Sequence, residues 1–256
     1  MLNKKQTKLI TGVHNYCDRW CERCSFTQRC AVGIESFTNA QRDMDNEAFW
    51  RTLSQNFART IQFLKEAAEK SGFDLAPPTT EELLEFDRKD VETRAILAKM
   101  PLIDTAKTYS KQVIQWFKIH DKTFEERGFE LIQHIDLGIK TEEQMLEQGV
   151  LFGDSIEVIQ WYMHFIAVKL SRAMHGKLED DGWETDNGFQ KDSDGSAKVA
   201  LIAAERSLLA WTQLAVLLPD FADSMLPMLA NLQKIVRLGE VEFPEARQFV
   251  RAGFDD

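Results

Sequence analysis

At 256 residues, 44% hydrophobic and 28% charged, the chain can bury a core of its own as one large domain or two small ones. Its six prolines and 13 glycines exclude collagen-like, linker-rich and low-complexity classes. Its 31 Lys and Arg against 41 Asp and Glu, a formal charge of −10, exclude an extensive surface for gripping phosphate backbones.

Residues 1–8 are polar and lysine-rich, and the stretch 9–13 is too short for a signal-peptide core and has no small-residue cleavage site. A cytoplasmic location is therefore expected. The only strand-like alternation in the chain falls over 8–13. Directly after it come all four cysteines, Cys17, Cys21, Cys24 and Cys30, spaced C-x3-C-x2-C-x5-C, with none elsewhere. A secreted disulfide framework spreads its cysteines to staple distant segments, whereas four thiols in one short run suit a metal centre. If the run coils as a helical turn, Cys17, Cys21 and Cys24 share one face and Cys30 loops back.

Two metals fit four such thiolates: an iron–sulfur cluster of the [4Fe-4S] type, and a tetrahedral Zn2+. Zinc ribbons pair two C-x2-C knuckles across a dozen or more residues, while compact four-cysteine runs lie closer to ferredoxin-type ligation. A metal-free thiol switch is the third reading. Arg19, Arg23 and Arg29 would offset thiolate charge under either metal, and Trp20 and Phe26 are expected to pack the knuckle. His14 is read as a surface or hydrogen-bonded histidine. The C-x3-C-x2-C part resembles the cluster spacing of radical S-adenosylmethionine enzymes. Those enzymes place it after the first strand of a β/α barrel, with an aromatic before the third cysteine. Here Arg23 stands there, alternating strands and helices are lacking, and Cys30 supplies a fourth ligand that closes the site.

Helical periodicity governs the rest. Over 43–70, Phe49, Leu53, Phe57, Ile61, Leu64 and Ala68 recur every three or four residues, and Ser71-Gly72 ends the run. Pro77-Pro78 forbids helix, and Thr79 with Glu82 forms a capping-box start for a helix over 83–97. The spacing predicts another over 103–124, a break at Gly128 and a short helical segment through Leu137. Asp154 and Glu157 repeat the capping-box spacing ahead of Ile156 to Met174. Residues 178–195, rich in Asp, Glu and Gly, read as a surface loop with Trp183 and Phe189 as anchors. Its Asp192-Ser193-Asp194-Gly195 lacks the closing Glu of a calcium loop, because position 203 is Ala203. The apolar stretch 199–218 has membrane-spanning length, but Glu205, Arg206 and Gln213 within it indicate a central helix surrounded by others. Pro219 and Pro227 punctuate a helical segment over 221–236, and Pro244 is expected to start a last short helix.

The fold expected is all-α: a helical bundle over 41–256 carrying the acidic loop 178–195, with a metal-binding cysteine segment over 1–40. Residues 17–24 and 195–207 resemble segments of uncharacterised bacterial helical proteins with an N-terminal cysteine cluster, a resemblance that implies no activity.

A bundle can hold a second metal if carboxylates and histidines converge from facing helices. The candidates are Glu130 with His134, Glu157 with Gln160 and His164, and Glu205. The competing account is a paired network, Glu205 with Arg206 or Lys198 and His164 with a carboxylate. His120 and His175 read as surface residues. Phosphate loops, nucleotide fingerprints and Ser/His/Asp arrangements are lacking, so hydrolase and nucleotide-dependent classes have no support. The function expected is a metal-dependent interaction or sensor module for a protein or small-molecule partner, acting away from the membrane. The alternative is a bundle oxidoreductase in which the carboxylate/His set holds iron and the cysteine cluster relays electrons.

Overall fold

The computed structural model describes residues 8–38, 47–72, 76–136 and 141–255, with side chains left undescribed at 35–38, 48, 49, 52, 123–136, 142 and 145. The described residues are predominantly helical, joined by coil and turns, and contain no strand. Eight α-helices follow in order: α1 (Ala31–Thr38), α2 (Glu47–Ser71), α3 (Thr80–Ala98), α4 (Pro101–Asp136), α5 (Glu142–Leu178), α6 (Trp183–Asp186), α7 (Asp192–Leu217) and α8 (Ala222–Glu242). The chain forms two compact units, Met1–Asn15 with Arg19–Glu92, and Tyr16–Asp18 with Thr93–Asp256.

In the first unit, residues 8–13 form coil and turn where a strand was the alternative, and two 3-10 turns, Cys21–Arg23 and Thr27–Arg29, lead into α1. Helix α2 ends at Ser71, where Gly72 turns the chain at φ 69°. The capping box that starts α3 is present in both directions: the Thr79 N–H donates to Glu82 Oε2 at 2.8 Å, and the Glu82 N–H donates to Thr79 Oγ1 at 3.2 Å.

In the second unit α4, α5, α7 and α8 close a four-helix bundle: α5 and α8 each pack against both α4 and α7. Helix α7 buries small residues, among them Ser196, Ala197, Ala200, Ala203, Ala204 and Ser207, which lets its neighbours approach closely. At Gly239 of α8 an added Cβ would stand 2.8 Å from Leu201 Cδ2. In the bundle centre the Trp211 Nε1–H donates to the Tyr109 hydroxyl at 3.2 Å, and the Trp211 ring meets the Trp116 ring edge-on at 5.0 Å. Burial pushes the Tyr109 phenol up to about 12. Among the described residues one helix, Asp192–Leu217, is long and apolar enough to cross a membrane, and half of its apolar window is buried inside the protein.

Several boundaries differ from those expected. Helix α4 runs unbroken through Gly128, because a lone glycine weakens a helix by only about 1 kcal/mol and does not stop it as proline does. Helix α5 starts twelve residues before Asp154, at a complete capping box of Thr141 with Gln144. Pro227 lies inside α8 at its sixth residue, where it removes a single donor, the N–H that would bond the Asp223 carbonyl. Beyond Pro244 the chain makes hydrogen-bonded turns in place of a helix. The acidic loop is interrupted by α6, and Asp192 to Gly195 form the first turn of α7, whose Asp192 N–H is accepted by the Glu184 carboxylate at 3.0 and 3.2 Å.

Candidate functional site

Cys21 opens the first 3-10 turn, Cys24 follows it in extended conformation, and Cys30 caps α1. The Thr27 hydroxyl holds these turns together, standing 2.8 Å from both the Cys21 and the Cys24 carbonyl oxygens. Cys24 N–H to Cys21 O at 3.3 Å and Cys30 N–H to Thr27 O at 3.4 Å continue the coil. Gly33 N–H donates to Cys30 Sγ at 3.3 Å, so the sulfur takes the place of an N-cap oxygen and satisfies one of the free donors of the first helical turn. Gly33 is required for this fit, since a Cβ there would lie 2.8 Å from Thr27 O. The Arg23 guanidinium stacks 4.1 Å from the centre of the Trp20 ring. The single helical face expected to present Cys17, Cys21 and Cys24 is not formed: the tight 3-10 turns and the extended Cys24 take its place.

Cys17 belongs to the second unit, in a three-residue clip that docks on the helical body. On one side the Tyr16 hydroxyl donates to Asp192 Oδ1 at 2.9 Å, and its ring meets Phe249 edge-on at 4.6 Å. Arg172 completes that cluster with a bidentate grip on Asp192 at 2.9 to 3.2 Å. On the other side Asp18 Oδ2 accepts from the Tyr162 hydroxyl at 2.6 Å and from Arg206 Nη1 at 2.8 Å, and the Asp18 carbonyl accepts from Trp161 Nε1 at 3.1 Å. Arg206 Nη1 also donates to the Tyr162 oxygen at 2.7 Å, which closes the triangle. Burial first, then the neighbouring carboxylates, holds the Tyr16 and Tyr162 phenols well above the usual tyrosine range, so both act as donors. Arg19, the next residue, takes the left-handed φ of 60°, a conformation that costs a residue with a Cβ about 1–2 kcal/mol.

None of the four cysteines is in a disulfide; Cys30 is buried and the other three are half-buried. Among the described residues no three His, Cys, Asp or Glu side chains are grouped so as to hold a metal. Of the second candidate set, Glu157 and His164 are exposed on α5, and Glu205 is exposed on α7. Glu205 pairs with Arg247 at 2.6 Å, and Arg247 also reaches Glu240 at 2.8 Å. The pairing anticipated for Glu205 is therefore present with a different cation: Arg206 serves Asp18, and Lys198 pairs with Asp255 at 2.8 Å. Glu130 and His134 lie on α4, and their side chains fall outside the described residues. His120 is half-buried against Trp116 and Phe221, and burial lowers its pKa; His175 pairs with Glu179 at 3.1 Å.

Sequence reasoning missed Tyr16, Asp18, Tyr162, Arg172, Asp192 and Arg206, all of which position the clip. One signal was available: the chain has three tyrosines against 17 phenylalanines, and two of the three are in these clusters. Compared with protein-family models, with curated proteins and with solved structures, the chain finds no match in any of the three.

Proposed function

We propose that Cys17, Cys21, Cys24 and Cys30 bind one metal centre, a [4Fe-4S] cluster or a tetrahedral Zn2+, and that the chain acts as a metal-dependent interaction or sensor module. The observation that carries this reading is the gathering of every thiol of the chain into residues 17–30. Thiolates are the ligands both metals take, and a reducing compartment keeps them available. Two local features support it. The Thr27 bridge already ties the carbonyls of Cys21 and Cys24, and the Gly33 N–H donates to a cysteine sulfur, the kind of bond by which a protein tunes a metal-bound thiolate. Ligation would draw the thiols of these turns together, so that metal-binding energy becomes folding energy for the segment. Glu157, His164 and Glu205, being exposed, leave the cysteines as the donors on which the reading rests.

The test is anaerobic purification of the full chain followed by metal and acid-labile sulfide analysis and absorption spectroscopy. A brown protein with iron and sulfide in equal amounts identifies the cluster; a colourless one with a single zinc, lost in Cys21→Ala, identifies the zinc site. A chain that retains neither metal after reconstitution, with all four thiols open to alkylation in its presence, refutes the proposal.

A further inference from the structure

Helix α2 carries an apolar stripe that the described contacts leave largely uncovered. Trp50, Phe57, Ile61 and Leu64 are 50, 61, 53 and 56% exposed, with Leu53 half-buried among them. At 3.6 residues per turn these five positions fall on one face, while Arg51, Gln55, Arg59, Gln62 and Glu66 fall on the other and Phe63, 69% exposed, stands off the stripe. The exposed apolar residues of α3 make no such stripe: Leu84 and Phe86, two residues apart, stand on opposite sides.

The order of the stripe is symmetric. Trp50, Leu53, Phe57, Ile61 and Leu64 are separated by three, four, four and three residues, a pattern that reads the same from either end about Phe57. Such an order suits a two-fold contact, in which the same patch must complement itself after rotation. From it we infer that α2 pairs antiparallel with α2 of a second copy of this chain, crossing at Phe57. Trp50 then lies level with Leu64 of the second copy, Leu53 with its Ile61, and Phe57 with its Phe57. In an antiparallel pair like flanks face each other. On one flank the same register sets Glu47, which also pairs with Arg51 of its own helix at 3.0 Å, about 3 Å along the axis from level with Lys65 of the second copy, and small Ser54 at the same offset from its Ala58. The charge pair occurs twice by symmetry.

The area agrees. The exposed parts of the stripe amount to about 450–500 Å² per copy, taking ~150–250 Å² for a whole aromatic side chain and slightly less for Ile and Leu. Two copies therefore remove roughly 900–1,000 Å² before the flanks are counted, and with them clear the ~1,000 Å² expected of a specific interface. A lipid surface is the poorer occupant, since a chain of net charge −10 is repelled by anionic headgroups.

The experiment is sedimentation equilibrium of the full chain, with circular dichroism as the check on folding. The wild type is expected to dimerise at micromolar to tens of micromolar concentration. Phe57→Glu, which sets two carboxylates against each other at the two-fold, should give monomer with unchanged helicity. Glu47→Lys and Lys65→Glu should each weaken the dimer about fivefold or more, and the double exchange should restore it. A monomeric wild type overturns the inference, including one whose stripe is covered by its own chain or by added anionic vesicles. So does a dimer indifferent to Phe57→Glu, and so does a double exchange no tighter than the single ones.

Discussion

Gly195 lies in the first turn of α7 directly beneath the clip, and replacing it with alanine tests whether that seat is as close as the geometry says. A Cβ built there stands 2.5 Å from Tyr16 Cε1 and 2.6 Å from Phe249 Cζ, distances at which one of the rings has to move. The Tyr16 ring cannot shift freely, because its hydroxyl is bonded to Asp192 at 2.9 Å and its edge rests on Phe249. Overpacking of this kind costs about 1–3 kcal/mol, and loss of the phenol bond adds about 1 kcal/mol. Against this, alanine gains up to about 1 kcal/mol of helix propensity over glycine. The balance is a net loss of about 2 kcal/mol, or roughly 4–8 °C in Tm for a body of this size. Gly153 of α5 is the control: nothing lies within 4 Å of its built Cβ, so Gly153→Ala is left with the propensity gain alone. Urea unfolding of the full chain should show Gly153→Ala at or above wild type and Gly195→Ala clearly below it. If Gly195→Ala stabilises as much as Gly153→Ala, the clip does not sit where it is described and the reasoning fails.

The remaining predictions concern the cysteine turns and the C-terminal tail. Gly33→Ala sets a Cβ 2.8 Å from Thr27 O and 3.1 Å from Thr27 Cα, so backbone has to yield; it should cost about 1–3 kcal/mol locally and speed both alkylation of Cys30 and amide exchange over 21–34. Unchanged Cys30 alkylation would contradict the close approach of α1 to the preceding turn. Asp255 is held far below the usual carboxylate range, by hydrogen bonds from Arg251 first and then from Lys198. A depressed carboxyl contributes stability above its unfolded pKa of about 3.9 and loses it as pH falls through the folded value. Asp255→Asn should therefore lower stability at neutral pH and flatten its decline below about pH 4; a parallel shift of the whole pH–stability curve would argue against it.

What the sequence made legible follows interaction range. Helices α2 and α3 could be read because their signals are local: an apolar step of three or four residues, a glycine stop, and the Thr79–Glu82 capping box. The start of α5 was missed although Thr141–Gln144 is the same motif with Gln in place of Glu, because Asp154 and Glu157 offered the same spacing closer to the apolar run. Spacing identifies capping boxes only when the residue before them can leave the helix, and Asp154 has helix on both sides. Gly128 misled for a related reason: inside a long helix its cost is small beside the hydrogen bonds on either side of it.

The site was legible as composition and illegible as placement. Four thiols in one run need no long-range information, but the residues flanking Cys17 are held by distant partners: Asp18 by Tyr162 and Arg206, 144 and 188 residues along the chain, and Tyr16 by Asp192, 176 residues along. No periodicity or local motif encodes such pairings. Residue choice encodes them weakly. The chain has 17 phenylalanines and only three tyrosines, and each of the three tyrosine hydroxyls has a side-chain partner: Asp192, Trp211 or Asp18. A buried phenol without a partner would be left with an unsatisfied donor, so a scarce tyrosine beside a cysteine is itself a statement that position 16 is held. Tyr16 and Asp18 thus set the place of Cys17 on the helical body from both sides, by bonds made through the tyrosine hydroxyl, the aspartate carboxylate and the Asp18 carbonyl.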